Sequence, residues 1–203
     1  MVAIPDWAGD VPHETVALLG RYVDLLKHWN GTINLIGKAT QHDIWGRHIW
    51  DSYQLLPLVP KRAKTLVDLG SGAGLPGLVL AIAAPKLAVT LVERDIRKST
   101  FLREAARSLG LSNVTVRNDD AHFLDATFDV ITARALASIN DLCELALPLM
   151  GTASICLFPK GENFANEVAH ATEFWSFEEQ VIHSETHEKA GIVSISKLNK
   201  RAG

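Results

Sequence analysis

Thr65-Leu66-Val67-Asp68-Leu69-Gly70-Ser71-Gly72-Ala73-Gly74-Leu75-Pro76-Gly77 decides how the chain is read. An apolar run ends in a carboxylate, and a glycine loop follows at once. Leu78 to Ala84 then forms helix readily. The order is strand, tight turn, helix, with Pro76 near the first helical position, where a missing N–H costs nothing. Glycine lets the backbone turn through positive φ and approach a ligand closely. The free N–H groups of the helix start lie just beyond. Such a loop suits a nucleotide-like cofactor at the carboxyl end of a parallel strand.

Two frames fit these glycines. Gly72-x-Gly74-x-x-Gly77 matches a dinucleotide fingerprint, and Asp68-x-Gly70-x-Gly72-x-Gly74 matches the first motif of S-adenosylmethionine (SAM) methyltransferases. A lone glycine pattern is a weak signal. Asp68 favours the second frame. A pyrophosphate would be repelled by a carboxylate, whereas the ammonium and sulfonium of SAM are attracted to one. A ligand-free βα turn is the bland alternative, and three alternating glycines after an apolar strand speak against it.

The 203 residues make one domain, 1–203, with 1–64 as a helical extension and 65–203 as the cofactor-binding core. A hydrophobic content of 47% suffices for a single core. The net charge of −3 does not announce nucleic-acid binding, so any RNA contact must come from a local basic face. Cys143 and Cys156 stand alone in apolar surroundings and read as buried thiols, with no disulfide framework or metal site. Met1 to Gly9 lacks the apolar region of a signal peptide, and no run is long enough to span a bilayer. The expectation is a cytoplasmic monomer.

Upstream of the loop, Pro12 to Trp29 reads as an amphipathic helix with Val16, Leu19, Val23 and Leu26 inward. Asn30-Gly31 closes it. A second helix is expected from about Gln41 to Leu58, ending before Pro60. Arg47 and Asp51 lie there at i,i+4 spacing, either as a minor surface pair or facing a substrate.

Downstream, Leu87 to Val92 is a strand ending at Glu93, about twenty residues past the loop. That spacing suits an acid that binds ribose hydroxyls. Ile96 to Leu109 is a helix with Phe101, Leu102, Ala105 and Leu109 inward and a basic surround. Asn113 to Arg117 is a strand, and Asn118 to His122 follows where adenine is often gripped. Phe128 to Thr132 is a strand running into Ala133-Arg134-Ala135. Arg134 either touches cofactor or RNA, or pairs with Asp68, Asp119 or Asp120. A helix from Ser138 to Met150 starts on a near capping box with Asp141. Ala153 to Phe158 is a strand followed by Pro159-Lys160-Gly161, then a helix from Glu162 to Thr172. Gln180 to Thr186 and Gly191 to Asn199 are the last strands. The sum is a mostly parallel seven-stranded sheet with an antiparallel edge strand, a Rossmann-like α/β sandwich of the class I methyltransferase kind.

Several motifs then fall in order: Trp29-Asn30 with Asn34-Leu35, Arg47-His48-Ile49-x-Asp51-Ser52, the Asp68–Gly77 loop with its Gly-Leu-Pro-Gly ending, Phe101-Leu102, Arg134-Ala135 and Lys160-Gly161. Over nearly the whole chain this set resembles the RsmG, or glucose-inhibited division protein B, family of bacterial methyltransferases. The resemblance implies SAM-dependent methylation of N7 of a guanine in the 530 loop of 16S ribosomal RNA, on the RNA or the small subunit. It also implies that Gly70 and Leu75 line the cofactor, Asp120-Ala121 meets the adenine and Arg134 lies near the transferred methyl. The family's Arg-x-Glu after the third strand is here Asn118-Asp119-Asp120-Ala121, which makes Asp120 the adenine-side acid.

Guanine N7 has an in-plane lone pair and no proton, so the reaction needs alignment and no general base. The expected SAM contacts are Asp68, Gly70, Gly72, Gly74, Leu75, Glu93, Asp120, Ala121 and Arg134. Arg134 and Lys160 are the expected positioning groups, and Arg47, His48 and Lys160 the expected RNA contacts. The rivals are a small-molecule methyltransferase, a non-catalytic RNA-binding assembly factor and an NAD-dependent oxidoreductase.

Overall fold

A computed structural model describes residues 11–201. The reading of Met1 to Gly9 as free of a leader falls outside them. Helix α1 (His13–Asn30) buries Leu19, Tyr22, Val23 and Leu26 on one face and leaves Arg21, Asp24 and Lys27 in solvent. The Asn30 carboxamide oxygen accepts from the backbone N–H groups of Leu35 and Ile36, fixing the exit from the helix.

The single helix expected over 41–58 is instead a broken path. It comprises a 3-10 stretch (Lys38–Asp43), a π turn (Trp45–Trp50), a short α2 (Asp51–Tyr53) and a second 3-10 turn (Leu56–Leu58). Local chemistry explains the breaks. The Asp43 carboxylate accepts from the Gly46 N–H, and the Ser52 hydroxyl donates back to the His48 carbonyl. Pro57 can donate no backbone hydrogen bond.

The strands are β1 (Thr65–Leu69), β2 (Ala88–Val92), β3 (Val114–Arg117), β4 (Phe128–Ala133), β5 (Met150–Lys160), β6 (Trp175–His183) and β7 (Gly191–Lys200). They form one sheet in the order β3-β2-β1-β4-β5-β7-β6. The pairs from β3 to β5 are parallel, and β7 runs antiparallel to both β5 and β6. The antiparallel strand is therefore one place in from the edge, not at it as the sequence suggested. β6 also begins five residues before the expected Gln180, because α6 (Phe164–Phe174) runs straight into Trp175. The buried Trp175 indole donates to Asn140.

Helices α3 (Gly77–Ala83) and α4 (Ile96–Leu109) cover one face with α1, and α5 (Ile139–Ala146) covers the other with α6. Successive β1 residues feed opposite layers, Leu66 to the first and Val67 to the second. That is why β1 reads as a continuous apolar run. Ser138 caps α5, its hydroxyl accepting from the Asp141 N–H as the sequence suggested, but the helix stops at Ala146, four residues early, ahead of Pro148. Cys143 and Cys156 are buried free thiols, and burial raises both. Strand order reverses between β1 and β4, which opens a crevice at their carboxyl ends.

Candidate active site

The glycine loop after β1 sits at that crevice. Gly70, Gly72 and Gly74 have φ of 62°, 55° and 88°, the left-handed region that side chains avoid. A Cβ on Gly74 would collide with the buried Leu78 and Leu102 side chains, and one on Gly77 would meet Leu91 and lie 2.8 Å from Asp68 Oδ2. These two glycines thus let α3 pack closely on the sheet. Tyr22 of α1 donates its hydroxyl to the Ala73 carbonyl at 2.6 Å, so the extension ties down the loop from below.

Asp68 is placed differently from expectation. It is fully buried. Its Oδ1 accepts from the Thr132 hydroxyl at 2.8 Å and its Oδ2 from the Gly77 N–H at 3.3 Å. Burial pushes its pKa up to about 6, against the opposing pull of the Thr132, Ser71 and Gly77 hydrogen bonds and the Arg134 charge. The carboxylate braces the start of α3 and does not face the open crevice. Leu75 likewise packs into the core, where it was expected to line a ligand, and Gly74 also stays off the cavity wall.

The open space beside the loop is a cavity of about 570 Å3, lined by Gly70, Gly72, Glu93, Asp119, Asp120 and Ala121 together with residues of α5 and the turn before it. Glu93 is 7% exposed. Its two oxygens accept from the Gly72 and Asp95 N–H groups, both at 2.8 Å, which locks its carboxylate at the rim of the glycine turn. Each oxygen keeps a further lone pair for a vicinal diol. Asp120 bonds the His122 ring at 2.6 Å, and that bond holds its carboxyl below the usual range. Asp141 and Glu144 also reach this wall, against the cations Arg94 and Lys98. The acidic surplus first assigned to Asp68 is carried by these lining carboxylates, and it suits a cationic ligand. The volume is right for a nucleoside-sized one.

A second cavity of about 540 Å3 lies across the turn that follows β4, and Ala135 lines both. Arg47, His48, Asp51, Arg134, Lys160 and Glu167 are among its walls. Arg134 pairs with Asp51 at 3.1 Å, so neither the Arg47–Asp51 pair nor an Arg134 pair with Asp68, Asp119 or Asp120 forms. His48 is 7% exposed, with Arg134 at 3.3 Å from Nδ1 and Thr40 at 2.8 Å from Nε2. Burial first, then the Arg134 charge, lowers its pKa to about 4. The ring is a neutral link inside the protein and also lines the cavity where an RNA contact was expected of it. Lys160 is tied within the protein too. Its ammonium meets Glu167 at 2.6 Å and the Ala137 carbonyl at 2.8 Å. Arg47 stays exposed at the rim.

Sequence reasoning missed Tyr22, whose hydroxyl is hidden in an apolar helix face. It also missed Asp51 as the Arg134 partner, 83 positions away. Thr186 and Gln54, which complete the Asp51 shell, carried no sequence signal.

A doubly wound sheet, a glycine turn at its switch point and an acid at the end of β2 define a Rossmann-like α/β protein with a site for a nucleoside-bearing cofactor. Solved structures agree on the fold. A putative O-methyltransferase from Klebsiella pneumoniae superposes with a TM-score of 0.59 at 15% identity, covering 92% of both chains. A ribosomal protein L11 methylase from Lactobacillus delbrueckii subsp. bulgaricus gives 0.56 at 15% identity, over 75% of this chain and 77% of its own. The family rRNA small subunit methyltransferase G matches residues 15–194, and the chain belongs to it. A ribosomal RNA small subunit methyltransferase G of Cereibacter sphaeroides is 47% identical over 194 residues, 93% of either chain. One from a Methylobacterium species is 45% identical over 197 residues, 93% of this chain and 92% of the relative. The protein is thus a SAM-dependent ribosomal RNA methyltransferase, which sets aside the oxidoreductase reading.

Proposed function

We propose that the chain transfers the SAM methyl group to N7 of a guanine in the 530 loop of 16S ribosomal RNA, on the RNA or the small subunit, acting as a cytoplasmic monomer. SAM occupies the cavity beside Gly70, Gly72 and Glu93, and the target base enters the one beside Arg134. The observation that carries this reading is the pair of cavities meeting at Ala135.

SAM supplies an electrophilic methyl group when bound. The chain's residues do the rest. Glu93 accepts from the ribose hydroxyls, and the segment Asp120–Ala121 meets the adenine. The lining carboxylates favour the positive charge of the donor. Because N7 bears no proton, none need be removed. Of the two imidazoles on the second cavity, His48 has both nitrogens engaged, and His187 accepts from the Lys189 N–H at Nδ1. Alignment of two partners in a dry cleft can lower the barrier by about 7–11 kcal/mol. Methylated guanine is cationic, and the Asp51 and Glu167 carboxylates on the cavity wall balance the Arg134 and Lys160 cations there, so the wall does not oppose the charge as it develops. The target base must leave its stack to arrive, and exposed Arg47 is placed to meet a phosphate.

The test is chemical cleavage at N7-methylguanosine in 16S RNA from a strain lacking the gene. The cleavage should vanish in the deletion strain and return with the gene. A mark that persists unchanged overturns the assignment.

A further inference from the structure

We infer that Asp51 and His48 are positioning residues for the methyl transfer, clamping the Arg134 guanidinium at the wall between the two cavities. The inference rests on the functional reading above and adds to it the control of one side chain's orientation.

The hydrogen bonds form a closed chain of assigned roles. A guanidinium can only donate. Arg134 Nη2 lies 3.3 Å from His48 Nδ1, so that nitrogen accepts and the ring is neutral. The ring proton is then on Nε2, donated to the Thr40 hydroxyl at 2.8 Å. Thr40 in turn donates to the Gly37 carbonyl at 3.0 Å. On the other side, Arg134 Nη1 donates to Asp51 Oδ2 at 3.1 Å.

Asp51 is itself held. Its Oδ1 accepts from the Thr186 hydroxyl at 2.7 Å and from Gln54 Nε2 at 3.1 Å. Gln54 Oε1 accepts from the Glu185 N–H at 2.8 Å. The helical extension thus holds the guanidinium at the end of β4, and the β6–β7 connection in turn holds the extension's Asp51. Arg134 and Asp51 keep 20% side-chain exposure each, so the clamped group still faces the cavity. A merely structural ion pair would not need a second clamp from a histidine held in one tautomer. A reaction that runs on alignment alone gains from both.

The test uses the full chain, small ribosomal subunits and SAM, with Asp51→Asn, His48→Leu and His48→Asn. The amide oxygen of Asn replaces Nδ1 as acceptor, and Leu offers none. Asp51→Asn and His48→Leu should lower kcat about ten- to hundredfold, the scale of a one-ångström misplacement. The KM for SAM and the affinity for S-adenosylhomocysteine should stay within about twofold, since those contacts lie in the other cavity. His48→Asn should recover most of the lost rate. Nitrogen-15 NMR of the Arg134 guanidinium should report hindered rotation in the wild type and in His48→Asn, and faster rotation in the other two, each of which keeps only one full acceptor. Equal kcat across the set, a loss confined to KM, or a freely rotating wild-type guanidinium would overturn the clamp. If Asp51→Asn does not fold, the two His48 variants decide, because they leave Asp51 in place. A wild-type chain that methylates no subunit overturns the functional reading alone, while the guanidinium signal still decides whether the clamp exists.

Discussion

The Tyr22 hydroxyl donates to the Ala73 carbonyl at 2.6 Å, joining α1 to the middle of the glycine loop across 51 positions of sequence. Both partners are buried. Tyr22→Phe leaves the carbonyl without this donor, and such a loss costs about 1–3 kcal/mol. Urea unfolding should report that loss. Calorimetry should show weaker binding of S-adenosylhomocysteine, because the loop loses its brace. Unchanged stability would mean that the loop holds its shape without the extension.

Gly70 and Gly74 both have positive φ, yet their substitution by alanine should act on different properties. A Cβ at position 70 lands 2.6 Å from Leu136 Cδ1, an exposed leucine tip that swings aside. The remaining backbone cost is about 1–2 kcal/mol, and the new methyl intrudes on the wall of the cofactor cavity. A Cβ at position 74 meets Leu78 and Leu102, which are fully buried and cannot yield. Gly74→Ala should therefore destabilise the fold by more, adding an overpacking cost of about 1–3 kcal/mol. Gly70→Ala should mainly weaken S-adenosylhomocysteine. The reverse ranking in unfolding and binding measurements would contradict this division.

The sheet and the glycine turn were legible because β1 is apolar on both faces and its loop turns through three positive-φ glycines. The place of Glu93 beside the glycine turn was legible from its distance along the chain. The polar ties were not. Tyr22, Asp51 and Thr186 act through single hydrogen bonds to partners remote in sequence, and no local periodicity records them. Asp68 misled for a related reason. Its charge was visible, but not that strand alternation and Gly77 bury it under α3. The broken helix over 38–58 was hidden by an apolar spacing that also fits a continuous one, while side chains capping the backbone decided the outcome.

Buried Asp68 also gives stability a pH dependence of definite sign. Its pKa is about 6 in the fold against 3.8 for the free group. Below pH 3.8 it is protonated in both states and carries no penalty. As pH rises from there to 6, the unfolded chain loses the proton and the folded chain keeps it, so stability falls. Above 6 the loss levels off at about 3 kcal/mol, two pKa units' worth. In Asp68→Asn the amide oxygen can take the Gly77 N–H, and its NH2 can donate to Thr132. That variant lacks the titration. Unfolding free energies across pH 4 to 7.5 should show it gaining about 2.5 kcal/mol relative to the wild type. A constant difference would mean that Asp68 ionises in the fold as it does in water.

Lys160 and Glu167 should be coupled through the turn between the cavities. The Lys160 ammonium holds the Ala137 carbonyl, and Glu167 Oε2 accepts from the Ile139 N–H at 3.0 Å as well as meeting Lys160. The lysine side chain is only 10% exposed, so solvent screens the pair weakly. Removing one partner strands the other's charge where water reaches poorly, which makes each single change worse than the double. A double-mutant cycle with Lys160→Met and Glu167→Gln should give a coupling of about 1–3 kcal/mol in stability. Methyl transfer should fall in Lys160→Met while Arg134 keeps its partners, because the backbone from Ala135 to Ala137 then loses its anchor. Additive single effects would show that the turn is held by its own backbone and that Lys160 is free to serve the RNA directly.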